Sequence, residues 1–255
     1  MNLSTKKIDP LNVTFQPSKV KIREIERWLI KEEQDTGEGF YCNWKIITSA
    51  FKNESIATIS ENDRAVGFVC WHESGLKATI DIAEIKPAMR GRGLGKILIN
   101  QLLGCLKLRN IVVVDLQCAP PSSEPVWRQL GFETFPERTR SYNSSGSNVE
   151  LYKSLVPSLA TSTSGPKHKS EIIELWDGEP YQAIKNDPSW KWEIIFKPGT
   201  RGLVKPIIYP GCSDWRIRWS KNHKTYIDDK VKYFINENIY QYGFIIITTL
   251  PKPKL

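Results

Sequence analysis

Between Ile80 and Lys96 the chain passes from a strand-like run into a glycine-rich loop and then into an amphipathic helix. Gly91, Gly93 and Gly95 then stand at alternate positions. Without a Cβ their backbone lets another group come close. Beyond them Leu94, Ile97, Leu98, Leu102 and Leu106 form one apolar helical stripe. A loop of this kind gathers free N–H groups at the positive end of a helix dipole, a site suited to a phosphate or pyrophosphate. Arg90, Arg92 and Lys96 are expected to add charge for the same anion.

The spacing narrows the choice of nucleotide. The segment lacks the glycine spacing and the Ser/Thr of a Walker A loop, and no register of Gly-x-Gly-x-x-Gly fits fully. The preceding strand is also the fourth of the chain, not the first of a βαβ unit. Ser55–Ser60, Ala65–His72 and Lys77–Ile85 read as a meander, with Asn62-Asp63 and Ser74-Gly75 at the turns. Before them come a short strand at Asn12–Phe15, a helix over 19–33 with Ser18 as N-cap, and a second helix near Asn43–Phe51. After them come a buried strand at Ile111–Leu116, a short helix at Glu124–Leu130 closed by Gly131, and strands at Phe132–Phe135 and Val149–Lys153.

Three ordered segments together resemble the GCN5-related N-acetyltransferase (GNAT) family. Arg90-x-x-Gly93-x-Gly95 is similar to its acyl-CoA-binding signature, and Ala83, Ile85 and Pro87 fit the end of its fourth strand. Val126-Trp127-Arg128-Gln129-Leu130-Gly131-Phe132 resembles its aromatic-x-x-Leu-Gly-Phe turn, and Ala65-Val66-Gly67-Phe68-Val69 its third strand. The resemblance covers roughly residues 10–153. It implies an α+β fold, with a mixed sheet split into a V after the fourth strand and flanked by helices. Acetyl-CoA, as co-substrate, would lie in the V. Its pantetheine would pair with the backbone of Ala83, Glu84 and Ile85. Its pyrophosphate would sit on the amides of Gly91, Arg92, Gly93, Leu94, Gly95 and Lys96, with Arg90 opening the loop. An amine would attack the thioester directly.

Such a reaction needs a deprotonated amine, an oxyanion donor and a proton for the thiolate. Part of the family carries its base on the fourth strand where Thr79 stands here, and threonine cannot serve. Asp81 lies two residues further along that strand. The ribosomal-protein alanine acetyltransferases use a fifth-strand glutamate, whose place here is Asp115. A carboxylate inside the apolar run Ile111–Leu116 requires either a catalytic role or a structural partner. Glu84 is a third candidate, with a solvated or backbone-directed side chain as the alternative. Trp127 replaces the family's acid tyrosine and Pro120 its CoA-binding asparagine, which leaves Tyr142 or solvent as proton source. Cys118 is read as a buried thiol, not an acyl carrier.

Residues 156–170, VPSLATSTSGPKHKS, lose all apolar periodicity and read as a linker. The expected organisation is an acetyl-CoA-binding domain at 1–155, this linker, and a smaller all-β part at 171–255. In the last part Glu171–Trp176, Trp190–Phe196, Val204–Tyr209, Asp214–Trp219, Lys224–Phe234 and Tyr240–Leu250 are strand-like, fitting a sandwich or partial barrel. Five of the nine tryptophans fall there and read as core. This part is expected to hold the acceptor, to pair two copies of the chain, or to complete the enzyme's sheet.

Composition sets the remaining bounds. The chain's 255 residues are 40% hydrophobic, and no window approaches the ~18 apolar residues of a membrane span, so no membrane partner is expected. Five widely spaced cysteines without a CxxC indicate a reduced, cytoplasmic setting. Three histidines, none near a cysteine at ligand spacing, indicate no metal. The net charge of +8 is denser in the last hundred residues, but no basic run reaches five, so nucleic acid is not expected as partner. Glu32, Glu33, Asp35 and Glu38 form an acidic stretch suited either to a cationic acceptor amine or to solvent. Arg138–Ser147 is the other expected specificity segment. The competing reading is a CoA-binding, catalytically degenerate relative that recruits partners through the β-rich part.

Overall fold

The computed structural model describes residues 11–136, 149–162, 170–222, 224–235 and 239–253. Tyr142 and the loop Arg138–Ser147 lie outside the described residues. The first half runs β1 (Leu11–Phe15), α1 (Lys19–Thr36), α2 (Trp44–Lys52), β2 (Ile56–Glu61), β3 (Arg64–Ser74), β4 (Lys77–Ile85), α3 (Leu94–Leu108), β5 (Val113–Gln117), α4 (Glu124–Gln129), β6 (Glu133–Thr134) and β7 (Glu150–Ser154). Its strands make one sheet in the order β1-β2-β3-β4-β5-β7-β6. Among the described residues only β4 and β5 pair in parallel, since α3 carries the chain back between them. The class is α+β, as expected.

Each face of this sheet has its own helical layer. Alternation along β3 sends Val69 and Trp71 to one side, where they pack with Leu98, Leu102 and Leu106 of α3. Phe68 and Cys70 point to the other side and meet Ile22, Ile25, Trp28 and Leu29 of α1 and Ile47 of α2. Burying each such side chain contributes roughly 1.5–3 kcal/mol. Gly37 ends α1 in the left-handed region at φ 71°, where its N–H donates to Glu33 O. Ser18 occupies the N-cap position of α1, as expected, with extended backbone and no capping side-chain bond.

The second half comprises β8 (Glu171–Leu175), β9 (Trp190–Ile194), β10 (Gly202–Pro210), β11 (Arg216–Lys221), β12 (Lys224–Lys230), β13 (Tyr240–Gln241) and β14 (Phe244–Thr249). They form two sheets, β12-β11-β8-β9 and β10-β14-β13. Ile173, Trp192 and Trp219 of one share a core with Ile207, Ile245 and Ile247 of the other, as in a sandwich. Trp190 stacks on Trp215 at 5.3 Å, so the tryptophans there build the interior.

Two strand readings need correction. The run 224–234 leaves the sheet after Lys230 and closes with a 3-10 turn at Val231–Tyr233. The run 240–250 is a hairpin, not one strand. Tyr242 and Gly243 hold φ 41° and 89° between the pairs Tyr240↔Ile245 and Gln241↔Phe244. Positive φ at both central residues is what a two-residue hairpin turn requires.

This hairpin touches the first half. Phe244 packs on Tyr152 and Phe135, with ring centroids 5.6 and 5.4 Å apart, and Val113, Ile208 and Ile246 complete the cluster. Leu76 N–H donates to Gln241 Oε1 at 2.6 Å. Residues 156–162 follow the second half, with Leu159 N–H donating to Pro206 O and Ser162 N–H to Lys191 O.

Candidate active site

The site begins where β4 and β5 part. Their last pair is Ile80↔Leu116, and from Asp81 to Ile85 β4 is paired on β3 alone. Lys86 N–H donates to Val66 O, so alternation along the antiparallel pair turns the N–H and C=O groups of Ala83 and Ile85 to the open edge. Both Ile85 groups there are capped. Its N–H donates to Glu84 Oε1 at 2.9 Å, and its carbonyl accepts from Arg90 Nε at 3.0 Å.

The open edge runs into the glycine loop. Gly91 and Gly93 both hold φ 77°, a conformation that side chains with a Cβ disfavour. Gly93 is the N-cap of α3. Among the described residues, the amides of Gly91, Arg92, Gly93, Leu94, Gly95 and Lys96 donate to no carbonyl or side chain. A cradle of unpaired N–H groups at a helix start is suited to an anion.

The basic residues of the loop are placed differently from one another. Arg90 turns its guanidinium inward, with Nη2 donating to Glu32 Oε1 at 2.6 Å and to Glu84 Oε1 at 2.9 Å. Arg92 is clamped by Glu61 at 2.5 and 3.1 Å. Lys96 is exposed and forms no ion pair among the described residues. Of the three, Lys96 is therefore the side chain free to meet an anion.

The carboxylates are distributed over the α1–α2 face of the sheet. Residues paired across strands project to the same side, which sets His72, Thr79, Asp115 and Tyr152 in one row. Asp115 Oδ1 accepts from Thr79 Oγ1 at 2.6 Å, and its Oδ2 meets Lys77 Nζ at 2.6 Å. That carboxylate in an apolar strand thus has two structural partners. Glu84 takes the backbone-directed geometry already noted. Burial pushes its carboxyl above the usual range, with Arg90 opposing the shift. Asp81 lies within 2.9 and 3.1 Å of His72 Nδ1. Glu32 is not a solvated rim residue. It is buried on α1, with Oε2 lacking any partner among the described residues.

Trp127 packs edge-on against Phe132 at 5.4 Å, so the position of the expected acid is used for packing. Cys118 is buried, and burial raises its thiol pKa, consistent with an inert thiol. His72 and Lys77 are the site residues that sequence reasoning missed. The only signal for His72 was a titratable residue directly after the apolar run Val66–Trp71.

Residues 20–132 match the model of the acetyltransferase (GNAT) family. Two curated relatives are uncharacterised N-acetyltransferases named ycf52. That of Porphyra purpurea is 35% identical over 99 residues, and that of Pyropia yezoensis 33% over 99. Each match spans 36% of this chain and 56% of the relative, so the chain covers about half the length of these proteins. Among solved structures, Ard1 from Thermoplasma volcanium is similar over 58% of this chain and 99% of its own, at 16% identity and a TM-score of 0.46. No helix among the described residues is long and apolar enough to cross a membrane.

Proposed function

We propose that the chain is an acetyl-CoA-dependent N-acetyltransferase acting on a primary amine of a protein or a small molecule. One observation carries this reading: the open edge of β4 at Ala83 and Ile85 runs directly into the unpaired amides of Gly91 to Lys96. A pantetheine arm has amide groups that can pair along the edge, while its pyrophosphate rests on the loop. At ~3.3 Å per residue, the three or four residues from Ile85 back to the fork measure about 10–13 Å. The thioester then lies beside Asp81 and Ile82. Pairing at Ile85 would displace Glu84 and Arg90 from that peptide.

The amine would approach over the α1–α2 face. In this reading Asp115 is a positioning residue held by Lys77, and the pair Asp81 and Glu84 stands nearer the chemistry. Solvent relays a proton to the leaving thiolate. The division into 1–155, 156–170 and 171–255 is part of the proposal, with the β-rich half bordering the acceptor side. Five unpaired thiols among the described residues support a reducing, cytoplasmic setting.

Titration calorimetry with CoA, followed by detection of CoA thiol release over a panel of amines, tests the reading. Micromolar binding and amine-dependent release are expected. Absence of binding would refute it.

A further inference from the structure

The meander carries a polar pair that the loop and the open edge leave unexplained. On β4 the pairing to β3 shifts between Ile80↔Trp71 and Ile82↔Cys70, so Asp81 is an extra residue in the ladder. A bulge of this kind re-aims a side chain and occurs next to active sites. The same residue is the first of β4 beyond its last pair with β5. The bulge and the fork of the sheet therefore coincide at Asp81. Its carboxylate is aimed at His72 Nδ1 on β3, with both oxygens within 3.1 Å.

Hydrogen-bond chemistry fixes the tautomer. An ionised carboxylate only accepts, so a neutral His72 carries its proton on Nδ1. Nε2 is then left with a free lone pair. The ring is 60% exposed, and its register partner on β4 is Thr79. We propose that His72 is the general base of the transfer and that Asp81 is its positioning residue.

The inference rests on the transferase reading, and it places the base at the level of the thioester. Nε2 takes one proton from the ammonium. The freed nitrogen pair forms the C–N bond, the C–S bond breaks, and its electron pair leaves on sulfur. The second amine proton ends on that sulfur, giving CoA–SH, while His72 passes the first to water. Asp81 stabilises the imidazolium in between.

The surrounding groups leave this role to the pair. Cys70 lies on the same face, and burial followed by the Asp81 charge raises its thiol pKa, so it stays protonated. Glu73 accepts from Trp71 Nε1 and pairs with Arg109. Asp115 is engaged by Thr79 and Lys77, and Glu32 by Arg90. Lys45 and Lys52 of α2 are exposed to solvent.

The test measures CoA release by the full chain with acetyl-CoA and a panel of N-terminal peptides, lysine peptides and spermidine. Wild type, His72→Gln, His72→Ala and Asp81→Asn are compared. His72→Gln should lose about 10²–10³-fold in kcat, with KM and CoA affinity within twofold. Imidazole should restore part of the His72→Ala rate. Asp81→Asn should lower kcat about tenfold, with KM and CoA affinity within twofold, because the amide no longer holds the Nδ1–H tautomer that frees Nε2. Wild-type kcat in His72→Gln, or in Asp81→Asn, would overturn the dyad and leave the transferase standing. Wild type that binds CoA but releases none with any amine would overturn both.

Discussion

Lys77 Nζ lies 2.6 Å from Asp115 Oδ2, joining the first residue of β4 to the middle of β5. Lys77 is buried, also donates to Tyr242 O at 2.9 Å, and stands 5.5 Å from the Phe244 ring centroid. The pair therefore ties the parallel strands to the hairpin of the β-rich half. Removing one partner of a buried pair leaves the other charge uncompensated and costs about 3–5 kcal/mol. Asp115→Leu alone should lower stability by that order. The double variant with Lys77→Met should recover most of it. Urea unfolding of the three proteins checks this. A double variant no better than the single would show that the pair does not act as a unit.

Gly93→Ala isolates the backbone of the loop. No atom lies within 4 Å of where the new Cβ would stand, so no clash arises within the chain itself. The φ of 77° still penalises alanine by about 1–2 kcal/mol. If the amides hold a diphosphate, CoA affinity should fall tenfold or more, beyond what the stability loss explains. Calorimetry beside thermal unfolding separates the two effects. Equal CoA affinity in the variant would remove the loop from the binding site.

Local pattern made most of the first half legible. The apolar alternation of β2, β3 and β4 and the stripe of α3 are written in adjacent residues, and the structure keeps those elements within a residue or two. What stayed hidden depended on long-range register. Asp115 reads as an isolated carboxylate until parallel pairing brings Lys77 and Thr79 beside it. Glu32 reads as solvated until Arg90, 58 residues away, reaches it. The His72–Asp81 contact depends on a bulge, which no periodicity announces. The hairpin at Tyr242-Gly243 was concealed because tyrosine is not a usual residue at positive φ.

The raised Glu84 pKa has a definite sign in a stability measurement. A carboxyl whose pKa is higher in the folded protein than in the unfolded chain binds its proton more readily when folded. Its stabilising contribution is complete below the ordinary glutamate range. It is lost as pH rises through the folded value. The stability of wild type relative to Glu84→Gln should therefore grow as the pH is lowered from 7 through that range. Thermal unfolding of both proteins at closely spaced pH values reads the difference. A gap that shrinks on acidification would mean that the Arg90 contact outweighs burial.

Phe244 is the best place to ask whether the two halves unfold together. Its ring is fully buried and meets Tyr152 and Phe135 of the first half, while its backbone belongs to the sheet of the second. Truncating a buried phenylalanine costs about 3–5 kcal/mol. If the cluster couples the halves, Phe244→Ala should split one unfolding transition into two, with the β-rich half melting first. The first half keeps its α3 core and its loop, so CoA binding should persist below that first transition. Calorimetric scans with and without CoA distinguish the cases, since a ligand held by the first half raises only the later transition. A single transition at lower temperature, with CoA affinity lost in parallel, would mean that the first half cannot hold its site without the second.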